Sequence, residues 1–416
     1  MIEKLLKKST SLLLGTGSTA LANLITVPLL ISAWGMADYG SQVTILALTM
    51  VFMTLFNFQP WQGVIVKWYN ESESEKNKLL SFTIHLDLIT AISGSVLLFI
   101  LAPVLAGFMN LDDSCVNIIK SYSVIIFMGQ VGFSTVILRI TENFKKQALC
   151  QISYSISRVL IAIYITAYDV DFYIGAQLLI IPYVIQNMLF WIYAIAISHE
   201  FKYKFNVFKL SIDCELLKYS AWVNFKAILD LPINHIDKLL ISMHLGTEST
   251  AVYDLLKKGG QIFAMVAQSV SQVSFPYFSK LISEGRKKDA YSESLKIPKK
   301  VILPVVTLIL LSLVLNYTDS YNSFCIKGVV VDTDILLMYF CLMLLSNSFI
   351  FIHVLFMSMG YIKKDVAIMI VASFVYLLLL NILISVTQLS GVIFSLFVQI
   401  AIVVTCKVLI LKKEMI

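Results

Sequence analysis

LSFTIHLDLITAISGSVLLFILAPVLAGFM, residues 80–109, holds a single carboxylate, Asp87, in a run that is otherwise almost wholly apolar. A helix of about 20 predominantly apolar residues crosses a hydrocarbon core of about 30 Å, so this stretch reads as a membrane span with length to spare. The same window moved outward finds eleven more: 10–33, 42–66, 116–138, 148–168, 172–198, 216–244, 250–279, 297–317, 333–358, 364–386 and 389–410. Composition agrees: 58% of the 416 residues are hydrophobic and only 14% charged, with a mean hydropathy of +0.83. A soluble chain carries about 25% charged residues. Soluble enzymes, nucleic-acid binders and secreted disulfide scaffolds are excluded, and the expected fold is an all-α polytopic membrane protein of twelve helices.

Positive charge orients the spans. Of 32 Lys and Arg, 25 fall in loops on one side, two (Lys120 and Lys327) fall on the other, and five (Arg158, Lys226, Lys238, Lys257, Lys258) lie within spans. Adding or losing one span would swap every later loop, so the split fixes both termini on the cytoplasmic side. The net charge of +6 is therefore topology, and no nucleic-acid partner is expected. Lys4, Lys7 and Lys8 precede an apolar stretch running to Ala33, too long for a signal peptide and read as an uncleaved first span. The longest outer loop, 318–332, leaves no room for an external domain. Six cysteines without a C-x-x-C pair, and five scattered histidines without H-E-x-x-H spacing, predict neither metal nor cofactor.

Two segments echo each other. Leu29-Leu30-Ile31-Ser32, Gly35, Tyr39, Gln59, Lys67 and Glu71 match Leu239-Leu240-Ile241-Ser242, Gly246, Tyr253, Gln272, Lys280 and Glu284 at offsets of 210 to 214 residues. Six spans separate the copies, so both run in the same direction, and the halves form a parallel repeat. The expected organisation is a six-helix lobe over 1–198, a cytoplasmic linker over 199–215 and a second six-helix lobe over 216–416. Such lobes flank a cleft that opens alternately to each side.

The run Asp237-Lys238-Leu239-Leu240-Ile241, Leu245-Gly246, Val252-Tyr253, Val270-Ser271-Gln272-Val273, Pro276 and Ser279-Lys280-Leu281 resembles the seventh-to-eighth helix signature of the polysaccharide transporters. These belong to the multidrug/oligosaccharidyl-lipid/polysaccharide exporter superfamily. Pro28-Leu29-Leu30, Gly35 and Asp38-Tyr39-Gly40 resemble the matching first helix pair. Within that superfamily the length and short loops look most like a Wzx-type repeat-unit flippase. The resemblance implies a bacterial inner-membrane location and a substrate of undecaprenyl-pyrophosphate-linked oligosaccharide, an O-antigen or capsule unit. It also implies H⁺ or Na⁺ as counter-ion, contact with polysaccharide polymerase machinery, and a monomer complete in one chain.

Charges within spans are costly, about 2.5–3.5 kcal/mol each at the bilayer centre, and normally face a bundle interior or water. At about 100° per residue, Lys226, Asp230 and Asp237 share one face of the seventh span, which Pro232 kinks. Asp254, Lys258, Gln261, Gln268 and Gln272 form a stripe along the eighth. Gln151, Ser155 and Arg158 form one on the fifth, and Thr19, Asn23 and Thr26 a weaker one on the first. One account pairs these charges internally: Asp230 with Lys226, Asp254 with Lys258, Asp237 with a lysine of the eighth span. The other makes Arg158, Lys226, Lys238, Lys257 and Lys258 the cationic wall of a hydrated cavity for an anionic substrate. In that account Asn23, Gln151, Gln261, Gln268 and Gln272 are its polar lining, and Asp87, Asp230, Asp237 and Asp254 are candidate coupling carboxylates. Five cations against four acids favour the cavity. An interior-negative potential, about 2.3 kcal/mol per charge per 100 mV, drives a pyrophosphate outward. Two rivals are a cation-coupled multidrug exporter of the same superfamily, which would prefer an acidic cavity, and an O-antigen polymerase, which would need larger outer loops.

Overall fold

A computed structural model describes residues 2–68, 71–203, 213–296, 298, 300, 324–326, 329–331 and 333–415. Among them, seven helical runs are long and apolar enough to cross a membrane: Leu14–Trp68, Glu73–Phe108, Cys115–Ile140, Phe144–Ala167, Phe172–Glu200, Ile335–Ser358 and Ile362–Glu414. The first and last are about twice the usual span length because each folds back on itself at one residue. The expected spans 216–244 and 250–279 are also mainly helical but are not among the seven. Apart from residues 298 and 300, the expected span 297–317 lies outside the described residues. Among the described residues the only strands form a two-stranded antiparallel hairpin, β1 (Phe324–Ile326) with β2 (Val329–Val331), in the expected outer loop.

By contacts the chain divides at Leu231–Pro232 into two compact units. The repeat places the boundary at 199–215, and the difference is one helix, α9. The first unit runs α1 (Ile2–Phe56), α2 (Trp61–Trp68), α3 (Glu73–Phe108), α4 (Cys115–Gly129), α5 (Gly132–Ile140), α6 (Phe144–Ala167), α7 (Phe172–Leu178), α8 (Ile181–Glu200) and α9 (Cys214–Leu229). α9 is fastened to α1 and α2. Lys67 pairs with Glu215 at 2.7 Å and Asp213 at 3.4 Å, Asn224 donates to the Leu55 carbonyl at 3.1 Å, and Gly63 admits Leu216 and Tyr219 where a Cβ would collide.

The second unit begins with a π-helical turn, Pro232–Ile236, and continues through α10 (Asp237–Ser283) and α11 (Lys287–Ser294). It closes with α12 (Thr333–Ser348), α13 (Ile350–Ser358) and α14 (Ile362–Met415). α1 and α10 each break at one glycine with nearly the same backbone: Gly35 at φ 78, ψ 178 and Gly246 at φ 86, ψ 175. That region is open essentially to glycine alone. Nothing lies within 4 Å of a Cβ built at either position, so backbone and not space demands glycine there. The two positions are those the sequence repeat aligns.

Each unit has its own apolar core. Val64, Leu80, Phe133, Ile137 and Ala194 are fully buried in the first, and Ile241, Tyr376, Leu380, Ile384 and Val392 in the second.

Candidate functional site

The bend at Gly246 folds α10 into a hairpin, which sets residues about sixteen to twenty apart side by side. Pro232 has no N–H and crowds the preceding turn, and the widened turn after it leaves two carbonyls available. The Lys257 ammonium takes both, contacting the Ile233 oxygen and reaching the Asn234 oxygen at 3.2 Å, and it meets Asp237 Oδ2 at 2.8 Å. The Tyr253 hydroxyl donates to the same Oδ2 at 2.7 Å, and the Lys238 amide donates to Oδ1 at 2.8 Å. One helical turn away Asp254 is held from both sides, by Lys238 at 2.5 Å and Lys258 at 2.7 Å. The two aspartate side chains are 0% and 2% exposed, those of Lys238 and Lys258 16% and 11%. Three ammonium groups thus meet two carboxylates in this cluster.

At Asp237 and Asp254 the charges are thus paired internally, and three of the five expected cavity cations serve these pairs. Lys226, expected to pair with Asp230, is exposed and makes no ion pair among the described residues, while Asp230 has an interaction of its own. The side chains of Gln268 and Gln272 lie outside the described residues.

A cavity of about 470 Å³ does exist inside the second unit. Lys257 and Gln261 line it; Lys238 and Lys258 do not. At its other end stands a pair the sequence did not disclose. Lys407, 4% exposed, pairs with Asp365 at 2.7 Å and meets His353 Nδ1 at 2.7 Å. By loop counting Lys407 belongs to the cytoplasmic side. The available signal was its isolation in the apolar run Val403–Ile410.

In the first unit the polar stripes of spans 1 and 5 face each other. Ser155 Oγ lies 3.1 Å from Ser18 Oγ and 3.3 Å from Thr19 Oγ1, and half-buried Gln151 packs over Gly15. Asn23 is half-buried on the same face of α1. Arg158 is 2% exposed and sits among phenols: it donates to the Tyr154 hydroxyl at 3.0 Å, its Nε finds no acceptor, and no carboxylate pairs with it among the described residues. It therefore faces the interior of its own unit. Asp87 caps α5. Its Oδ2 accepts the Phe133 amide at 2.8 Å, and a Cβ on Gly132 would fall 2.6 Å from the other oxygen. The carboxylate borders a cavity of about 250 Å³ that also holds Gln130, whose buried Nε2 has no acceptor. No ammonium or guanidinium pairs with Asp87 among the described residues.

Comparison with known proteins bears on this arrangement. The model of a family described as polysaccharide biosynthesis proteins matches residues 5–282. None of the curated proteins matches. Among solved structures, the inward closed form of the lipid II flippase MurJ superposes with a TM-score of 0.73 at 16% identity, covering 96% of this chain and 86% of that one. An inward-facing multidrug-resistance MATE transporter of the MOP superfamily gives 0.70 at 14%, covering 95% and 94%. The bent form of the Vibrio cholerae MATE transporter VcmN gives 0.59 at 13%, covering 99% and 96%. At such identities the likeness is one of fold, the multi-pass helical fold of these transporters.

Proposed function

Because this chain belongs to the family of polysaccharide biosynthesis proteins, we propose that it is a flippase that carries an undecaprenyl-pyrophosphate-linked oligosaccharide, an O-antigen or capsule repeat unit, from the cytoplasmic to the periplasmic leaflet of a bacterial inner membrane. The family match on a multi-pass transporter fold carries the reading: the family supports a role in polysaccharide assembly, and the MurJ-like fold supports moving a lipid-linked sugar. Both termini lie in the cytoplasm. The chain acts as a monomer, its two sequence halves, 1–198 and 216–416, alternate in access, and the released units pass to the polymerase machinery.

The residues divide this work unequally. Lys238 and Lys258, partly exposed beside Asp254, are the cations that attract pyrophosphate. Lys257 is spent on the Ile233, Asn234 and Asp237 oxygens and serves to hold the hairpin. Arg158 and Lys226 add positive potential from the first unit. Among the coupling carboxylates, Asp237 and Asp254 already hold lysines. Asp87, buried and without a cationic partner among the described residues, is the best placed to take a proton.

The test is removal of the gene from its native host, followed by surface glycan and the leaflet position of lipid-linked units. Loss of surface glycan with complete units accumulating on the cytoplasmic side supports the flippase. Single units that still reach the surface would move the function to polymerisation. Intact glycan with altered drug tolerance would make it a multidrug exporter.

A further inference from the structure

One corner of the second unit gathers exposed cations from three separate segments. α14 turns back at Gln388, which brings its two ends together: Lys364, in its first turn, reaches Glu414, in its last, at 3.6 Å. The start of α11 meets the same place. Glu414 borders, with Gly285, Arg286, Lys287, Lys288 and Asp289, an open pocket of about 340 Å³. Arg286, Lys287, Lys288, Lys363, Lys364, Lys412 and Lys413 thus converge around one carboxylate, and all seven are exposed. They lie on the side that the Lys/Arg count assigns to the cytoplasm.

Local causes account for few of these cations. Three carboxylates answer them: Glu284 and Asp289 share Arg286, at 3.6 and 2.8 Å, and Glu414 takes Lys364. Lys287, Lys288, Lys363, Lys412 and Lys413 form no ion pair among the described residues. Lys412 and Lys413 suit the C-terminal end of a helix dipole. Lys287, Lys288, Lys363 and Lys364 stand in first turns, where the dipole disfavours a cation. The bias of Lys and Arg toward cytoplasmic loops sets their side of the membrane and asks for no convergence. Like charges crowded together repel, and an anion among them turns that repulsion into attraction.

Position selects the anion. The lysines of α14 stand at both ends of the run Ile362–Glu414, which is headgroup depth for a helix pair that crosses the membrane. Beside them apolar side chains face outward: Ile362 is 49% exposed, and Leu409, one turn before Lys413 on the same helix face, is 60% exposed. A soluble anion would use the cations and leave this apolar surface idle, whereas a phospholipid matches both. We propose that this corner binds an anionic phospholipid of the cytoplasmic leaflet, its phosphate among Lys287, Lys288, Lys412 and Lys413 and its chains along Leu409 and Ile362. The site shares no residue with the Asp237–Asp254 cluster, and the inference is independent of what the chain transports.

The lysines themselves report occupancy. The full chain in detergent is acetylated with a neutral succinimidyl ester, and the rate is read by mass spectrometry at the peptide carrying Lys287 and Lys288. Three probes are titrated: dioctanoyl phosphatidylglycerol, dioctanoyl phosphatidylcholine and inorganic pyrophosphate. Lys145 and Lys218, exposed and unpaired in the first unit on the same expected side, are the controls. The expected result is several-fold slower acetylation of Lys287 and Lys288 with phosphatidylglycerol, at concentrations where the other two probes have no effect and the controls keep their rates. Lys412→Gln with Lys413→Gln raises the half-protecting concentration about fivefold for each charge removed. Glu414→Gln, which takes away the central carboxylate, lowers it. Equal protection by phosphatidylcholine, protection by pyrophosphate that matches or exceeds that by phosphatidylglycerol, equal slowing at the controls, or no slowing overturns the proposal. So does protection indifferent to Lys412 and Lys413 or weakened by Glu414→Gln.

Discussion

Replacing Asp254 by Asn tests whether the charges of α10 hold the second unit together. Asp254 Oδ1 and Oδ2 lie 2.5 and 2.7 Å from the Lys238 and Lys258 ammonium groups, which are therefore no more than about 7 Å apart. At an effective dielectric of about 20, two unit charges at that distance repel by about 2 kcal/mol or more. Removing one partner of a buried pair costs about 3–5 kcal/mol. The low end applies here, because both lysine side chains keep some exposure, 16% and 11%. All five tryptophans lie in the first unit, so their fluorescence does not report on this one. Cys341 does: it is 3% exposed and flanks Tyr339 and Leu342 of the second core. Maleimide labelling of Cys341 under native conditions follows the opening of that core, and a loss of about 3 kcal/mol raises the rate about a hundredfold. Adding Lys238→Met removes the repulsion and brings the rate back about thirtyfold. Unchanged labelling in Asp254→Asn, or faster labelling still in the double variant, would refute the reasoning.

Further substitutions test other parts of the structure. Gly35→Ala and Gly246→Ala place a Cβ where nothing obstructs it, so each should lose only the backbone term, about 1–3 kcal/mol, seen as lower thermal stability in detergent; a neutral result would mean the bends do not need glycine. Asp87→Asn keeps an acceptor for the α5 amides but loses the titrating group. It should leave the fold intact while abolishing the pH dependence of transport in vesicles, whereas Asp87→Ala should also lose a cap worth about 1 kcal/mol. Lys407→Met strands the buried Asp365 and should destabilise by about 3–5 kcal/mol. Lys407→Met with Asp365→Asn should recover most of that, and a double variant as unstable as the single one would show that the pair is not the cause.

Apolar run length and the Lys/Arg imbalance require no knowledge of contacts, because hydrocarbon solvent acts on each segment separately. From these the membrane class follows, and with it the span positions that the helices now occupy from Leu14 to Glu200 and from Ile335 to Glu414. The glycine bends were visible too: Gly35 and Gly246 stand out as matched positions in two similar segments, and both carry a conformation that a side chain resists. A matched glycine within similar flanking residues takes up the same local backbone in both units.

Charge was legible as residues and illegible as partners. A helical projection puts Asp254 and Lys258 on one face, since the i,i+4 relation is local, and that pair exists. It cannot reach Lys238, which arrives at Asp254 only because Gly246 reverses the chain, nor the Ile233 and Asn234 carbonyls, freed by the widened turn after Pro232. Nor does it show that Arg158 turns toward four tyrosines of its own unit, that Asp87 caps a helix begun 45 residues later, or that Lys407 and Asp365 meet. Solvent preference is a property of a segment and can be read one segment at a time. Whether a buried charge is neutralised or left for a substrate depends on atoms brought within about 3 Å from distant parts of the chain, and that is settled only when the helices pack.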